Sequence, residues 1–317
     1  MHARSVDSNL KIGVVGYGEV GKILARALRE QGVPWVGAWD VLLRDSTHGA
    51  AMRARARDDG VEACASLAAL LARADIVISA VTAANALEVA REAARSIRPG
   101  TFFLDLNSAS PTTKASASKL VDAAGAHYVE AGVMTPVPPY GIRAPMLLGG
   151  NRAGALAEKL RPLGFDMTVV AERIGVASAI KLCRSVFIKG LEAIIVESYT
   201  LARRHGVERQ LLASLTETFP EIDWEKQGSY LFSRVANHGK RRAEEMREAA
   251  KTVREAGFEP WMSAASAETQ DWVAALSRSG LFRDLSAEPD WRDYADKIIA
   301  ALENPGTTVR KRSGRCS

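Results

Sequence analysis

The segment Lys-Ile-Gly-Val-Val-Gly-Tyr-Gly-Glu-Val-Gly, residues 11–21, constrains the fold more than any other stretch of this chain. A short apolar run ends in Gly16, Gly18 and Gly21. An amphipathic stretch with Val20, Ile23, Leu24, Ala27 and Leu28 on one face follows directly. That order is strand, tight turn, helix. The first glycine permits the turn, the second lets the backbone approach a pyrophosphate, and the third lets helix and strand pack closely. The phosphates then lie on the free N–H groups of a helix N-terminus, where the peptide dipoles favour negative charge. A lone Gly-x-Gly-x-x-Gly is weak, because glycine is common in turns. Here a second strand, 34–40, ends in Asp40, about twenty residues on, the spacing of an acid that bonds the adenosine ribose. The cofactor-binding residues read from this unit are Gly16, Gly18, Glu19, Val20, Gly21 and Asp40. Asp40 favours NAD over NADP, since a carboxylate repels a 2′-phosphate. Arg44 lies close enough to blur that preference.

The first half of the chain alternates short apolar runs with helical patterns. Strands are predicted at 11–15, 35–40, 61–63, 75–81, 101–106, 127–131, 146–148 and 167–170. Helices are predicted between them at 19–31, 48–58, 66–72, 85–97, 112–124 and 152–160. Such alternation means crossover units and a mostly parallel sheet buried on both faces, an α/β Rossmann domain. After Gly175 the strands stop. Residues 176–205 read as one helix of about thirty residues, roughly 45 Å long. Ile180, Cys183, Phe187, Leu191, Ile194, Ile195 and Leu201 form a broad apolar stripe along it, so it is expected to be the buried centre of an all-α domain. Further helices are predicted at 208–218, 221–236, 240–256, 264–279 and 291–303, punctuated by Gly206, Pro220, Gly239, Gly257, Pro260, Gly280 and Pro289. The expected domains are 1–174, 175–306 and a disordered basic tail, 307–317.

With 317 residues, 47% apolar and 25% charged, the chain has the composition of an ordinary globular enzyme. The net charge of +5 is concentrated in Arg310, Lys311, Arg312 and Arg315, so it does not argue for nucleic acid as a partner. No apolar run approaches the ~18 residues that span a bilayer. The polar first residues lack a signal-peptide core. A cytoplasmic protein with no membrane partner is expected. Cys64, Cys183 and Cys316 are few, odd in number and scattered, as are the five histidines, so neither a disulfide framework nor a metal site is expected.

Ligands of such sheets lie at the C-terminal ends of the strands. Val81 and Thr82 follow one strand and are read as cofactor contacts. Asn107 and Ser108 follow the next, where an amide and a hydroxyl could hold the nicotinamide or a substrate carboxylate. Ser110 before Pro111 fits a helix N-cap. The proline- and glycine-rich stretch 130–145 reads as the rim of a site or as a plain connection. Lys181 stands in the first turns of the long helix, on the face of Ser185 and close to Lys189. Desolvation and the positive helix N-terminus would lower its pKa toward neutrality, as suits a general acid or base. From spacing alone, Lys181, Arg184 and Lys189 read equally well as a solvated stripe with snorkelling stems.

Four motifs in order, Gly16-Tyr-Gly-Glu-Val-Gly, Asp105-Leu-Asn-Ser-Ala-Ser-Pro, Glu130-Ala-Gly-Val and Gly175-Val-Ala-Ser-Ala-Ile-Lys181, resemble the β-hydroxyacid dehydrogenases, among them the 3-hydroxyisobutyrate and 6-phosphogluconate enzymes. The stretch 237–246 resembles a less-characterised, phosphogluconate-dehydrogenase-like branch. The resemblance covers nearly the whole chain. It implies NAD or NADP as cofactor, a helical dimerisation domain, a homodimer, an interdomain cleft and a small hydroxy acid or semialdehyde as substrate. It also implies that Lys181 is the catalytic acid/base, with Ser108 near nicotinamide and substrate. Departures are visible. Ser185 stands where the family has asparagine. Met134 and Thr135 replace serine and glycine in the substrate loop, so substrate contacts are expected at these positions without a substrate identity. Lys240, Arg241 and Arg242 read as an exposed helix start that could address an acidic substrate. Two other functions fit the same cofactor domain. One is an imine reductase, against which Lys181 counts; the other is a non-catalytic dinucleotide sensor, which the altered loop favours.

Overall fold

The computed structural model describes residues 9–303, so the expected basic tail lies outside the described residues. Eight strands run β1 (Lys11–Val15), β2 (Trp35–Trp39), β3 (Glu62–Ala63), β4 (Ile76–Ser79), β5 (Phe102–Asp105), β6 (His127–Val133), β7 (Met146–Gly149) and β8 (Met167–Ala171). They form one sheet in the order β3-β2-β1-β4-β5-β6-β7-β8. Every pairing is parallel except β6 with β7. The intervening helices are α1 (Glu19–Glu30), α2 (Gly49–Asp58), α3 (Leu67–Leu71), α4 (Ala86–Ala94), α5 (Pro111–Ala123), the short α6 (Val137–Tyr140) and α7 (Ala153–Leu160).

The strands read as unbroken apolar runs because both faces are covered. Ile12, Val14, Ile76, Ile78, Phe102 and Leu104 face one layer with Leu24 and Leu28 of α1 and Leu156 of α7. Val15, Val77 and Phe103 face the other, with Leu70 of α3, Val89 of α4 and Val121 of α5. Each fully buried aliphatic side chain contributes about 1.5–3 kcal/mol relative to exposure. The two-residue alternation therefore pins the register. This is the doubly wound sheet expected from the sequence.

The remaining helices are α8 (Val176–His205), α9 (Glu208–Thr218), α10 (Trp224–Glu255), α11 (Trp261–Arg278) and α12 (Trp291–Glu303). The sequence pattern changes at Ile174–Gly175, while the packing divides between Cys183 and Arg184, inside α8. The second unit is all-helical. Its core gathers Ile195, Val196 and Tyr199 of α8, Phe232 and Val235 of α10, Val273 of α11 and Trp291, Tyr294 and Ile298 of α12. Tyr199 meets Trp291 edge-on at 4.9 Å, and Phe232 stacks on Tyr294 at 5.3 Å.

Two expectations are corrected here. The helices predicted at 221–236 and 240–256 are one continuous α10, and Gly239 lies in its interior. A Cβ at Gly239 would stand 2.6 Å from the Gln270 carbonyl oxygen and 3.0 Å from Ala274 Cβ of α11. The glycine therefore serves a close helix–helix approach, not a break. Lys240, Arg241 and Arg242 are thus mid-helix residues and not an exposed helix start; Arg242 is buried. The second correction concerns α8. Ile180, Cys183, Phe187, Ile194 and Leu201, expected inside, are exposed, with Phe187 at 72%. Ser185, Lys189 and Glu192 are buried instead. The polar side chains go inward because each finds a partner there.

Helix propensity alone would make Gly239→Ala stabilising by about 1 kcal/mol. The clash with α11 reverses the sign, and the variant is expected to lose about 1–3 kcal/mol, measured by urea unfolding.

Candidate functional site

The glycine turn is built as a cradle. Gly16 has φ +90°, a conformation that L side chains rarely adopt. A Cβ at Gly21 would stand 1.9 Å from the Gly16 carbonyl oxygen, so only glycine lets α1 begin this close to β1. Gly18 caps α1 without a side-chain hydrogen bond, and a Cβ there would meet nothing within 4 Å. Gly18 and Glu19 are exposed and Val20 is half-buried. The first-turn amides are therefore uncapped beside open space, which fits a pyrophosphate. Asp40 follows β2 next to this turn. Its Oδ2 accepts from Tyr17 N–H at 2.8 Å and its Oδ1 from Leu42 N–H at 2.9 Å. The acid predicted from spacing thus also ties the glycine turn to the end of β2, and lone pairs remain on both oxygens for a ribose. The Arg44 guanidinium lies over the Trp39 ring at 5.9 Å.

The ends of β4 and β5 are cross-linked. Asn107 Oδ1 accepts from Val81 N–H at 2.7 Å, and its Nδ2 donates to Ser79 Oγ at 3.0 Å. Thr82 Oγ1 accepts from Asn85 Nδ2 at 2.9 Å and is exposed. Beneath them lies a network that the sequence reading missed. Asp105 is buried and accepts from Asn107 N–H at 2.8 Å and from the Tyr128 hydroxyl at 2.6 Å. Lys114 Nζ pairs with its Oδ1 at 2.9 Å and donates to its carbonyl oxygen at 2.9 Å. Burial first, then the Asp105 charge, pushes the Tyr128 hydroxyl well above its ordinary range, so it stays a donor. The signal was a lysine on the apolar face of α5. The network holds the backbone from which Ser108 projects.

Glu130 of β6 organises the next element. Its Oε1 accepts from Gly175 N–H at 2.7 Å and Ala177 N–H at 3.1 Å. Its Oε2 accepts from Ser178 Oγ at 2.7 Å and Ser178 N–H at 3.4 Å. A fully buried carboxylate therefore caps the N-terminus of α8. The helix end read from sequence as a bare positive pole is thus capped by Glu130. Gly132, two residues on, lets α8 approach; a Cβ there would stand 2.8 Å from the Ala177 carbonyl oxygen and 3.4 Å from Lys181 Cβ. With α8 so placed, Lys181 Nζ donates to Ser108 Oγ at 2.5 Å, both residues being half-buried. Two residues 73 apart in sequence meet at the edge of the sheet where the glycine turn lies. Met134 and Thr135 follow β6 and are half-buried; Thr135 Oγ1 is enclosed with no hydrogen-bond partner among the described residues. A cavity of about 550 Å³ lined by Pro111, Ile174, Val176, Ile180 and Cys183 includes neither Lys181 nor Ser108.

In the second unit, Ser185 is buried and accepts from Lys189 Nζ at 3.0 Å, and Lys189 pairs with Glu245 Oε2 at 2.8 Å. Glu192 pairs with Arg242 at 2.9 Å without hydrogen-bond geometry on that oxygen. Burial raises the Glu192 carboxyl to about 7, against the opposing pull of Arg242 and Lys189. Lys240 and Arg241 are exposed.

These features define an NAD(P)-binding oxidoreductase. Residues 11–139 match the NAD binding domain of 6-phosphogluconate dehydrogenase, and residues 202–273 match a domain of unknown function (DUF1932). A conserved hypothetical protein from Sinorhizobium meliloti 1021 is 37% identical, with a TM-score of 0.76 over 93% of this chain and 97% of that one. A conserved protein of unknown function, structurally similar to 3-hydroxyacid dehydrogenases, is 31% identical, with a TM-score of 0.67 over 85% of this chain and 98% of its own. The 2-(hydroxymethyl)glutarate dehydrogenase of Eubacterium barkeri is 24% identical over 66% of this chain and 69% of its own. The chain belongs to the β-hydroxyacid dehydrogenase family. Its cofactor is NAD(P). No helix among the described residues is long and apolar enough to cross a membrane.

The Glu192 carboxyl carries a proton more readily folded than unfolded, because its folded value is raised from 4.5 to about 7. The folded state therefore binds more protons between these values, and stability falls as pH rises through that window. Glu192→Gln abolishes this component. Wild-type stability relative to the variant is expected to decline from pH 4.5 to pH 7 in urea titrations; a constant difference would refute the assignment.

Proposed function

We propose that the protein interconverts a small 3-hydroxy acid, or a related hydroxy acid, with its carbonyl product, using Lys181 as general acid/base. The observation that carries this reading is the pairing of Lys181 Nζ with Ser108 Oγ at the C-terminal edge of the sheet. When bound, NAD(P) supplies the hydride acceptor or donor at its nicotinamide ring. Gly16, Gly18, Glu19, Val20 and Gly21 would hold its pyrophosphate, and Asp40 its adenosine ribose. Val81, Thr82 and Asn107 would shape the neighbouring strand ends. In the oxidative direction, Lys181 Nζ takes the proton of the substrate hydroxyl; in reduction it returns that proton to the carbonyl oxygen. Ser108 orients the amine and shares the reacting oxygen. Glu130 keeps the amine in place by anchoring the first turn of α8. Met134 and Thr135 would address the rest of the substrate. The relative from Eubacterium barkeri supports the class, since the substrate in its name carries a hydroxyl β to a carboxylate.

The same reading includes a homodimer. Ile180, Phe187, Ile194 and Leu201 recur every seven residues along α8 and are all exposed. A seven-residue apolar repeat is the seam by which one helix packs along another. A second copy of the chain would cover it.

Two outcomes are expected. Lys181→Ala should lower kcat by about 10²–10⁴-fold for whichever member of a 3-hydroxy-acid panel the wild type oxidises, followed as NAD(P)H absorbance, while fluorescence titration shows NADH and NADPH binding unchanged. Undiminished turnover rejects the assignment. Phe187→Asp with Ile194→Asp should convert the dimer to monomer in sedimentation equilibrium.

A further inference from the structure

Trp261 is out of keeping with the rest of the second unit. It opens α11 and is 76% exposed, and Phe258 and Met262 on either side of it are exposed too. The same unit contains an apolar cavity of about 570 Å³ between α8, α11 and α12, walled by Val196, Leu201, Trp272, Ile299 and Leu302. Thr200 also lines this cavity. A helical threonine commonly donates to the carbonyl one turn back, as Thr216 and Thr218 do. Thr200 Oγ1 is enclosed and has no hydrogen-bond partner among the described residues. An indole N–H is a donor only, and a hydroxyl oxygen can accept it. The cavity and the exposed ring therefore match in size, in apolar character and in their one polar atom each.

Helix register brings the two together across a pair of copies. Phe187, Ile194 and Leu201 form the exposed seam of α8 in this unit, and Leu201 is at once part of the seam and a wall of the cavity. A two-fold axis that sets Phe187 against Ile194 of a second copy passes level with Gly190–Leu191. Gly190 packs on α11, since a Cβ there would stand 3.9 Å from Ser266 Oγ. The same axis is therefore level with residue 266 and lays the two copies of α11 antiparallel. Trp261, five residues before that level, then meets the stretch five or six residues beyond it, where Trp272 walls the cavity. Ala265, exposed between them on that face, leaves room for the approach.

We propose that the cavity beside Thr200 is the socket for Trp261 of a second copy of this chain, with the indole N–H donating to Thr200 Oγ1. Two-fold symmetry makes each copy give one ring and receive one. The inference deepens the homodimer reading above and rests on it. An aromatic side chain buries about 150–250 Å² and a stable interface about 800 Å² per partner, so Trp261 and Phe187 supply a substantial part of what a lasting dimer needs.

Sedimentation equilibrium on the full chain reads the dimer dissociation constant. Trp261→Ala should raise it about thirtyfold or more, as truncation of a central aromatic anchor does. Its circular dichroism spectrum should stay that of the wild type, because the ring is exposed in its own copy. Trp261→Phe keeps an apolar ring without the N–H, and Thr200→Val keeps the shape without the hydroxyl. Each should raise the constant about fivefold, and the double variant no further than either single one, since both remove the same bond. Additive losses overturn the proposal, because they place Trp261 and Thr200 in separate contacts. So does a Trp261→Ala protein that dimerises as tightly as the wild type; the α8 seam is then judged separately, by Phe187→Asp with Ile194→Asp. A wild type that is monomeric at every concentration overturns both readings.

Discussion

The Glu130 carboxylate is the contact on which the first unit's site depends. It is fully buried, and its charge is offset by four hydrogen bonds from the first turn of α8 together with the positive end of that helix. Without such partners a buried carboxylate would be strongly unfavourable. With them, it fixes the start of α8 against β6, and Gly132 sets how close the helix lies. The position of Lys181, and hence its meeting with Ser108, follows from that anchor. The Asp105–Lys114–Tyr128 network does the same for the other partner, holding the end of β5 from below. Two buried carboxyl groups, Glu130 and Asp105, thus hold two half-buried side chains, Lys181 and Ser108, at hydrogen-bond distance.

The long helix departs from the usual arrangement over part of its surface, although Ile195, Val196 and Tyr199 stay in the core. Its polar stripe, Ser185, Lys189 and Glu192, is buried, and its heptad of large apolar side chains is exposed. Burying Lys189, Glu192 and Arg242 costs desolvation that their mutual attraction only partly offsets, and the upward shift of the Glu192 carboxyl reports that imbalance. Such groups are therefore poor devices for stability. They are good devices for geometry, because removing one partner strands the other and the alternatives are expensive. The exposed heptad has the complementary logic, since a contiguous exposed apolar stripe is the kind of surface that marks an interaction site.

How legible was this in the sequence? The glycine turn, Asp40 and the strands of the first unit could be read because local rules decide them. Gly16 needs a positive φ, Gly21 needs no Cβ, and runs such as residues 76–79 are apolar on both faces. Gly239 was misread because the sequence shows only that a Cβ is missing, not whether a turn or a neighbouring helix demands it. The faces of α8 were misread for a related reason. Hydrophobic periodicity locates a stripe but does not say whether it meets its own core or another surface, and it assigns polar residues outward even when distant partners such as Glu245 and Arg242 receive them.

The sequence by itself determined the dinucleotide-binding sheet, its chain order, and the change to an all-helical second half. These depend on φ/ψ preferences and on periods of two and 3.6 residues, which neighbours in the chain enforce. Only the tertiary structure decided that Lys181 meets Ser108, that Glu130 caps α8, and that Lys189 turns inward to Ser185. Charge pairing and close packing join residues far apart along the chain, and their partners are chosen by distance in space, which no local pattern encodes.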